Sequence, residues 1–106
     1  MKVLLKKLTN KIPRILSIAG SDCSSGAGIQ ADIKTIQSLG GYCSTVITSV
    51  TSQDSKRVYD SYSIPEEIVK SQLCAIYNDI GFDAVKIGLV PNLKIAKEIY
   101  NFFKNK

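Results

Sequence analysis

The sequence contains no histidine, and its three cysteines, Cys23, Cys43 and Cys74, form no C-x-x-C pair. A zinc site therefore has almost nothing to build on. No apolar run approaches the roughly 18 residues that a membrane-spanning helix needs. The opening stretch MKVLLKKLTNKI breaks its apolar segments with lysine too often for the core of a signal peptide. Sparse, odd-numbered cysteines without an export signal point to the reducing cytoplasm. Also missing is an element that interleaves basic and aromatic residues, which excludes the usual face of a nucleic-acid binder. The net charge of +5 comes from the two ends: Lys2, Lys6, Lys7, Lys11 and Arg14 at one, Lys94, Lys97, Lys104 and Lys106 at the other. These read as solvated ends, with residues 1–13 as a basic N-terminal extension.

What is present suits one small α/β domain: 106 residues, 44% of them hydrophobic. Arg14 to Ala19 reads as a first strand. Ile29 to Leu39 reads as a helix with Ile29, Ile33, Ile36 and Leu39 on one stripe, ended by Gly40-Gly41. Tyr42 to Val50 is β-branched and reads as a second strand. Val58 to Tyr62 reads as a short extra strand. Ser63-Ile64-Pro65-Glu66 resembles a capping box before a helix striped by Val69, Leu73, Ile76 and Ile80. Ala84 to Ile87 is a third main strand, and Asn92 caps a last helix with Ile95, Ile99, Phe102 and Phe103. Alternating strands and helices imply a parallel sheet with right-handed crossovers. Three main β-α units are few to cover both faces of such a sheet. The expectation is therefore a partial doubly wound domain over residues 14–106, its second half absent.

The loop between the first strand and helix, AGSDCSSGAGIQAD (19–32), carries the chemistry. A phosphate loop needs lysine and Ser or Thr after its last glycine. Ile29 and Gln30 stand there instead. Gly26 to Ala31 fits the dinucleotide pattern G-x-G-x-x-A, but the acid expected about 20 residues later is replaced by Val50-Thr51-Ser52. A tight turn capped by Ser24 or Ser25, holding no ligand, accounts for the same residues. Asp32 falls inside the helix's apolar arc, where a carboxylate needs a partner. That partner is either a pocket or nearby backbone at the helix start. Thr51 to Ser55 forms the loop after the second strand, on the same side of a parallel sheet. There Gln53 is either a solvated loop glutamine or a ring partner, its amide offering adjacent donor and acceptor that match an aminopyrimidine edge as they match adenine. Lys86 lies in an otherwise apolar strand and reads as buried, either ion-paired to Asp32 or Asp54 or touching a ligand. The cysteines read as packing residues, with nothing to suggest an activated thiolate.

Three blocks bear a further likeness. Ile18 to Asp22 with Gly26 to Thr35, then Val46 to Gln53, then Val85 to Leu89 resemble, in sequence and spacing, the hydroxymethylpyrimidine/phosphomethylpyrimidine kinases of thiamine biosynthesis. These are ribokinase-like enzymes, and the resemblance covers about residues 14–100. It implies a small polar ring in the opening loop. Gly20 and Ala27 allow close approach, Asp32 lies near the pocket, Gln53 with the Thr51 backbone bonds the pyrimidine, and Leu89 lines the ring where methionine is usual. Cys23 replaces a proline, Ser25 replaces a glycine at a turn that strains if φ is positive, and Ser52-Gln53-Asp54-Ser55 replaces Ala-Gln-Asn-Thr.

The resemblance implies ATP and Mg2+ for the complete enzyme. Its later half carries the anion hole and most of the ATP site, so no cofactor is expected for this chain alone. No catalytic residue or metal ligand is assigned: Asp22, Asp32 and Asp54 are equal candidates for a base. The chain is expected to be inactive alone. It is either the substrate-binding part of such a kinase, or a noncatalytic remnant or fragment that pairs with a separate C-terminal half or a second copy. A dinucleotide module is the further alternative. Pyrimidine and pyridoxal-type rings remain undistinguished.

Overall fold

The computed structural model describes residues 11–106; most of the expected N-terminal extension lies outside the described residues. The elements are β1 (Arg14–Asp22), α1 (Gly28–Ser38), β2 (Tyr42–Gln53), β3 (Val58–Ser63), α2 (Glu66–Asn78), β4 (Ala84–Ile87) and α3 (Leu93–Phe103). The sheet order is β3-β2-β1-β4. β1 pairs parallel with β2 from Arg14↔Tyr42 to Asp22↔Thr51, and with β4 from Ile15↔Ala84 to Ile18↔Ile87. The sheet is not wholly parallel, however. β3 runs antiparallel to β2, from Ser49↔Ser63 to Gln53↔Val58, because a four-residue connection, 54–57, permits only a hairpin return.

That hairpin also moves the strand ends. β2 runs on to Gln53 rather than stopping at Val50, since β3 supplies it with a partner. Thr51 and Gln53 thus sit on a strand rather than in a free loop. Beyond the hairpin, Gln72 of α2 takes over the exposed edge of β2. Its Oε1 accepts from Ile47 N at 2.8 Å and its Nε2 donates to Ile47 O at 3.0 Å. Such pairing satisfies strand groups that would otherwise be left bare.

The core lies between one face of the sheet and α2 with α3. Leu16, Ile18, Val46, Val69, Leu73, Ile95 and Ile99 form one cluster, with Ile76, Phe82, Val85, Phe102 and Phe103 packed around it. Each fully buried Leu or Ile contributes about 1.5–3 kcal/mol of burial, so this face carries most of the stability. The α1 face is different. Ile29 is buried, but Ile33 is 39% and Leu39 60% exposed. The expected α1 stripe is only partly covered, because that face of β1 and β2 is rich in short polar residues.

Capping follows the residues only in part. Asn92 Oδ1 accepts from Ile95 N at 3.0 Å, as its type at that position demands. No side chain caps α2. Pro65 is its N-cap, so Ser63 stands too far back to close a capping box; Glu66 and Glu67 in the first turn favour the helix dipole instead.

Candidate functional site

The carboxyl ends of β1, β2 and β4 meet in a cleft of about 180 Å³. Its lining includes Gly20, Ala27, Thr51, Gln53 and Leu89, five of the six residues expected from sequence, together with Lys86. Open parallel sheets hold ligands at this end. A larger hollow of about 510 Å³ lies along β4 and α3, lined by Val85, Ile87, Ile99, Tyr100 and Phe103. Lys104 and Tyr100 aside, its walls are apolar and offer little to orient a polar ligand, so size alone does not make it the site.

The first wall is the β1–α1 loop, and Asp22 folds it. Asp22 Oδ1 accepts from Ser24 N at 2.8 Å and Ser24 Oγ at 2.7 Å, and Oδ2 accepts from Ala27 N at 2.8 Å. The Ser24 hydroxyl, with these backbone donors, holds the Asp22 carboxyl below its ordinary range despite burial. Neither Ser24 nor Ser25 caps α1; its N-cap is Ala27, with no side-chain bond. The carboxylate bonds the amide of that N-cap residue rather than the first-turn amides a serine cap was expected to take. It also puts negative charge at the helix start, which disfavours the pyrophosphate of a dinucleotide there. Gly28 has φ +61°, and a Cβ on it would overlap the Gly20 carbonyl. This glycine serves the seating of loop on strand. Ser25 has φ +67°, so the departure from glycine at that position falls where a side chain is strained.

The second wall is the end of β2. Gln53 Nε2 donates to Thr51 Oγ1 at 2.7 Å, and Thr51 Oγ1 donates to Ser21 O at 3.0 Å. Cys23 lies against the Gln53 backbone, its Sγ 3.3 Å from Gln53 N and 3.2 Å from Gln53 O. It is exposed, not a core packing residue. The pairing of β1 with β2 slips between Ala19 and Ser21. A Cβ on Gly20 in that slip would meet Ser49 Oγ at 2.8 Å and Leu89 Cδ2 at 3.1 Å, so the glycine brings β1, β2 and the β4 end close.

The third wall follows β4. Thr48 Oγ1 donates to Leu89 O at 2.7 Å, and Gly88 N to Ile18 O at 2.7 Å. These bonds fix the Leu89 segment over the strand ends. Lys86 Nζ bonds Asp32 Oδ2 at 2.8 Å, and Ser17 Oγ donates to the same oxygen at 2.6 Å. Asp32 thus stands behind the cleft, and Lys86 is the residue that lines it. The Lys86 side chain is 49% exposed rather than buried, because β4 is an edge strand. Burial pushes the Asp32 carboxyl up, but Lys86 and Ser17 outweigh it and hold it below the ordinary value. Asp54 is tied to Tyr59 Oη at 2.7 Å and to the Lys56 and Arg57 amides, and it too is held low, first by that hydroxyl. All three aspartates are therefore anions at neutral pH, and the shifts single none of them out as a base.

Of the other lining residues, the sequence reasoning weighed Lys86 as a ligand contact and Asp22 as a candidate base, and passed over Ser21 and Gly88. Gly88 and Lys86 lie in the same short block as Leu89, which was the available signal. Among the described residues no group of three His, Cys, Asp or Glu side chains converges to hold a metal ion. No helix among them is long and apolar enough to cross a membrane.

The profile of a family described as phosphomethylpyrimidine kinase matches residues 22–106. A hydroxymethylpyrimidine/phosphomethylpyrimidine kinase of Aquifex aeolicus is 44% identical over 91 residues, which is 86% of this chain and 36% of that protein. The crystal structure of phosphomethylpyrimidine kinase from Clostridium difficile superposes with a TM-score of 0.83 at 43% identity, covering 90% of this chain and 41% of that one. The structure of the pyridoxal kinase from Staphylococcus aureus in complex with pyridoxal gives 0.79 at 33% identity, covering 91% and 36%. The chain spans well under half the length of the relatives it matches. Sheet order, cleft position and these likenesses agree on a ribokinase-like α/β fold, and the chain belongs to the phosphomethylpyrimidine kinase family.

Proposed function

We propose that the cleft binds the ring of a hydroxymethylpyrimidine, and that this chain is the substrate-binding part of a hydroxymethylpyrimidine/phosphomethylpyrimidine kinase. The complete enzyme transfers a phosphoryl group from ATP to the hydroxymethyl group or its monophosphate, in thiamine biosynthesis and in the cytoplasm. The observation that carries this reading is the Gln53 amide, held at the cleft beside Gly20 and Leu89. At about 180 Å³ the cleft is smaller than the roughly 300–1,000 Å³ of drug-sized pockets. A single substituted ring suits it and a dinucleotide does not.

ATP and Mg2+ are proposed for the complete enzyme, but the cleft residues do not fit them. The one ammonium lining it, Lys86, is already paired with Asp32. The Asp22 carboxylate, bonded to the Ala27 amide, stands before the helix start and opposes an anion there. The chemistry supported for these residues is to bind a ring, orient it and screen it from water.

The test is thermal unfolding with and without 4-amino-5-hydroxymethyl-2-methylpyrimidine. Ligand at 100 times its dissociation constant adds about 2.7 kcal/mol to a folded binder. The melt should rise with ligand, and Gln53→Ala should abolish the rise. A folded chain whose melt is unmoved at millimolar ligand refutes the reading.

A second reading concerns partners. The outer edge of β4 pairs with no strand among the described residues, and the hollow beside it is apolar. That flank suits a separate segment completing the sheet, or a second copy. Sedimentation of the chain alone tests the second copy.

A further inference from the structure

The Thr51 hydroxyl has one proton, and the Ser21 carbonyl, a pure acceptor 3.0 Å away, takes it. Thr51 Oγ1 can then only accept from Gln53. Of the two ends of the Gln53 amide, only the NH2 can donate, and Nε2 lies 2.7 Å from Oγ1. The opposite orientation would set two acceptor oxygens against each other, at a site where Thr51 is 7% exposed. The chain Gln53→Thr51→Ser21 therefore runs in one direction.

We propose that Thr51 is a positioning residue that locks the flip state of the Gln53 amide and thereby sets which ring edge the cleft accepts. With one N–H committed to Thr51, Gln53 presents its Oε1 acceptor and one remaining N–H. An acceptor beside a donor complements a ring nitrogen next to an exocyclic amine. The 4-oxo analogue reverses that edge: its ring nitrogen carries a proton and its exocyclic atom accepts. A free amide would turn over to suit either ring, and a locked one cannot. The inference rests on the aminopyrimidine reading of the cleft and adds the source of its selectivity. The Gln53 backbone is held separately by Cys23, so removing the Thr51 hydroxyl releases the amide without releasing the strand.

The test compares dissociation constants for 4-amino-5-hydroxymethyl-2-methylpyrimidine and its 4-oxo analogue in the full chain, in Thr51→Val and in Thr51→Ser. Matched donor and acceptor pairs discriminate by about 1–3 kcal/mol, or roughly 5- to 150-fold. The wild-type chain should prefer the amino ring by that ratio. Thr51→Val should bring the ratio near one, and Thr51→Ser should restore it. A Thr51→Val variant that folds and keeps the wild-type ratio overturns the proposal. If Thr51→Val fails to fold, the wild-type chain still decides. Nuclear Overhauser contacts should join a Gln53 Nε2 proton to the Thr51 side chain, and their absence overturns the lock. Failure of wild type to bind either ring, with those contacts present, refutes the aminopyrimidine reading and leaves the lock standing.

Discussion

Ser25 lies in the β1–α1 turn with φ +67°, so replacing it with glycine should stabilise the chain. A left-handed conformation costs an L-residue roughly 1–2 kcal/mol through crowding of its Cβ. Glycine is also freer in the unfolded chain, which offsets about 0.4–1 kcal/mol of that gain. The interactions of Ser25 run through its backbone: its N donates to Asp22 O at 3.0 Å, and Lys34 Nζ donates to its carbonyl at 2.8 Å. Ser25→Gly keeps both. The net gain is about 0.5–1 kcal/mol, a rise in Tm of about 3–6 °C for a domain of this size. Ser25→Ala is the control, since it retains the Cβ and should leave Tm within about 1 °C. Differential scanning calorimetry of the three proteins reads the result. A fall in Ser25→Gly, or an equal rise in Ser25→Ala, refutes the strain argument.

Gly28→Ala should cost about 2–4 kcal/mol, because it adds left-handed strain to a direct overlap with the Gly20 carbonyl; denaturant unfolding that shows less than about 1 kcal/mol counts against the loop geometry. Lys86→Met should change stability by less than about 1 kcal/mol, since the ammonium is half exposed. Asp32→Ala should cost more than Lys86→Met, because it also strips the buried Ser17 hydroxyl of its acceptor; equal losses would mean the ion pair alone matters. The Arg14 guanidinium holds the Asp83 carboxyl down at about 2, from an ordinary 3.8. A carboxyl depressed on folding contributes stability that is complete above its unfolded value and is lost as pH falls through the folded one. The urea midpoint should therefore drop between pH 4 and pH 2, and Asp83→Asn should flatten part of that drop.

The helices and main strands were legible because their apolar spacing is regular: Val69 and Leu73 in α2, Ile95 and Ile99 in α3, Leu16 and Ile18 in β1 all reach the core. The reading failed where one local signal competed with a distant partner. Ser63-Ile64-Pro65-Glu66 has the letters of a capping box, yet β3 pairing holds Ser63 opposite Ser49, so it cannot reach the helix. Ile33 and Leu39 keep helical period without burial, since the sheet face beneath α1 offers Ser17 as the partner of Asp32 rather than an apolar bed. The same competition hid Asp22. Its neighbours Ser24 and Ser25 are the ordinary capping types, and only the folded loop shows that the carboxylate serves the amides instead. Lys86 was legible as the partner of Asp32 but not as exposed, because edge position depends on strand order, which no local pattern records.

The cleft and the open flank of β4 illustrate two ways of holding a surface in place. Around the cleft every wall is bonded to another: Thr51 to Ser21 joins β2 to β1, Thr48 to Leu89 joins β2 to the β4 end, and Gln30 Nε2 to Ser21 Oγ joins α1 to β1. These are directional bonds among strand ends that pair within the described sheet, so the cleft geometry is fixed locally. Along β4 and α3 the surface is instead apolar and bare, with Ile87 51%, Leu93 67% and Tyr100 68% exposed. Directional polar bonds specify position, whereas apolar area supplies affinity without direction. The cleft is thus held in place by bonds within the described residues, whereas the flank carries apolar area without such bonds.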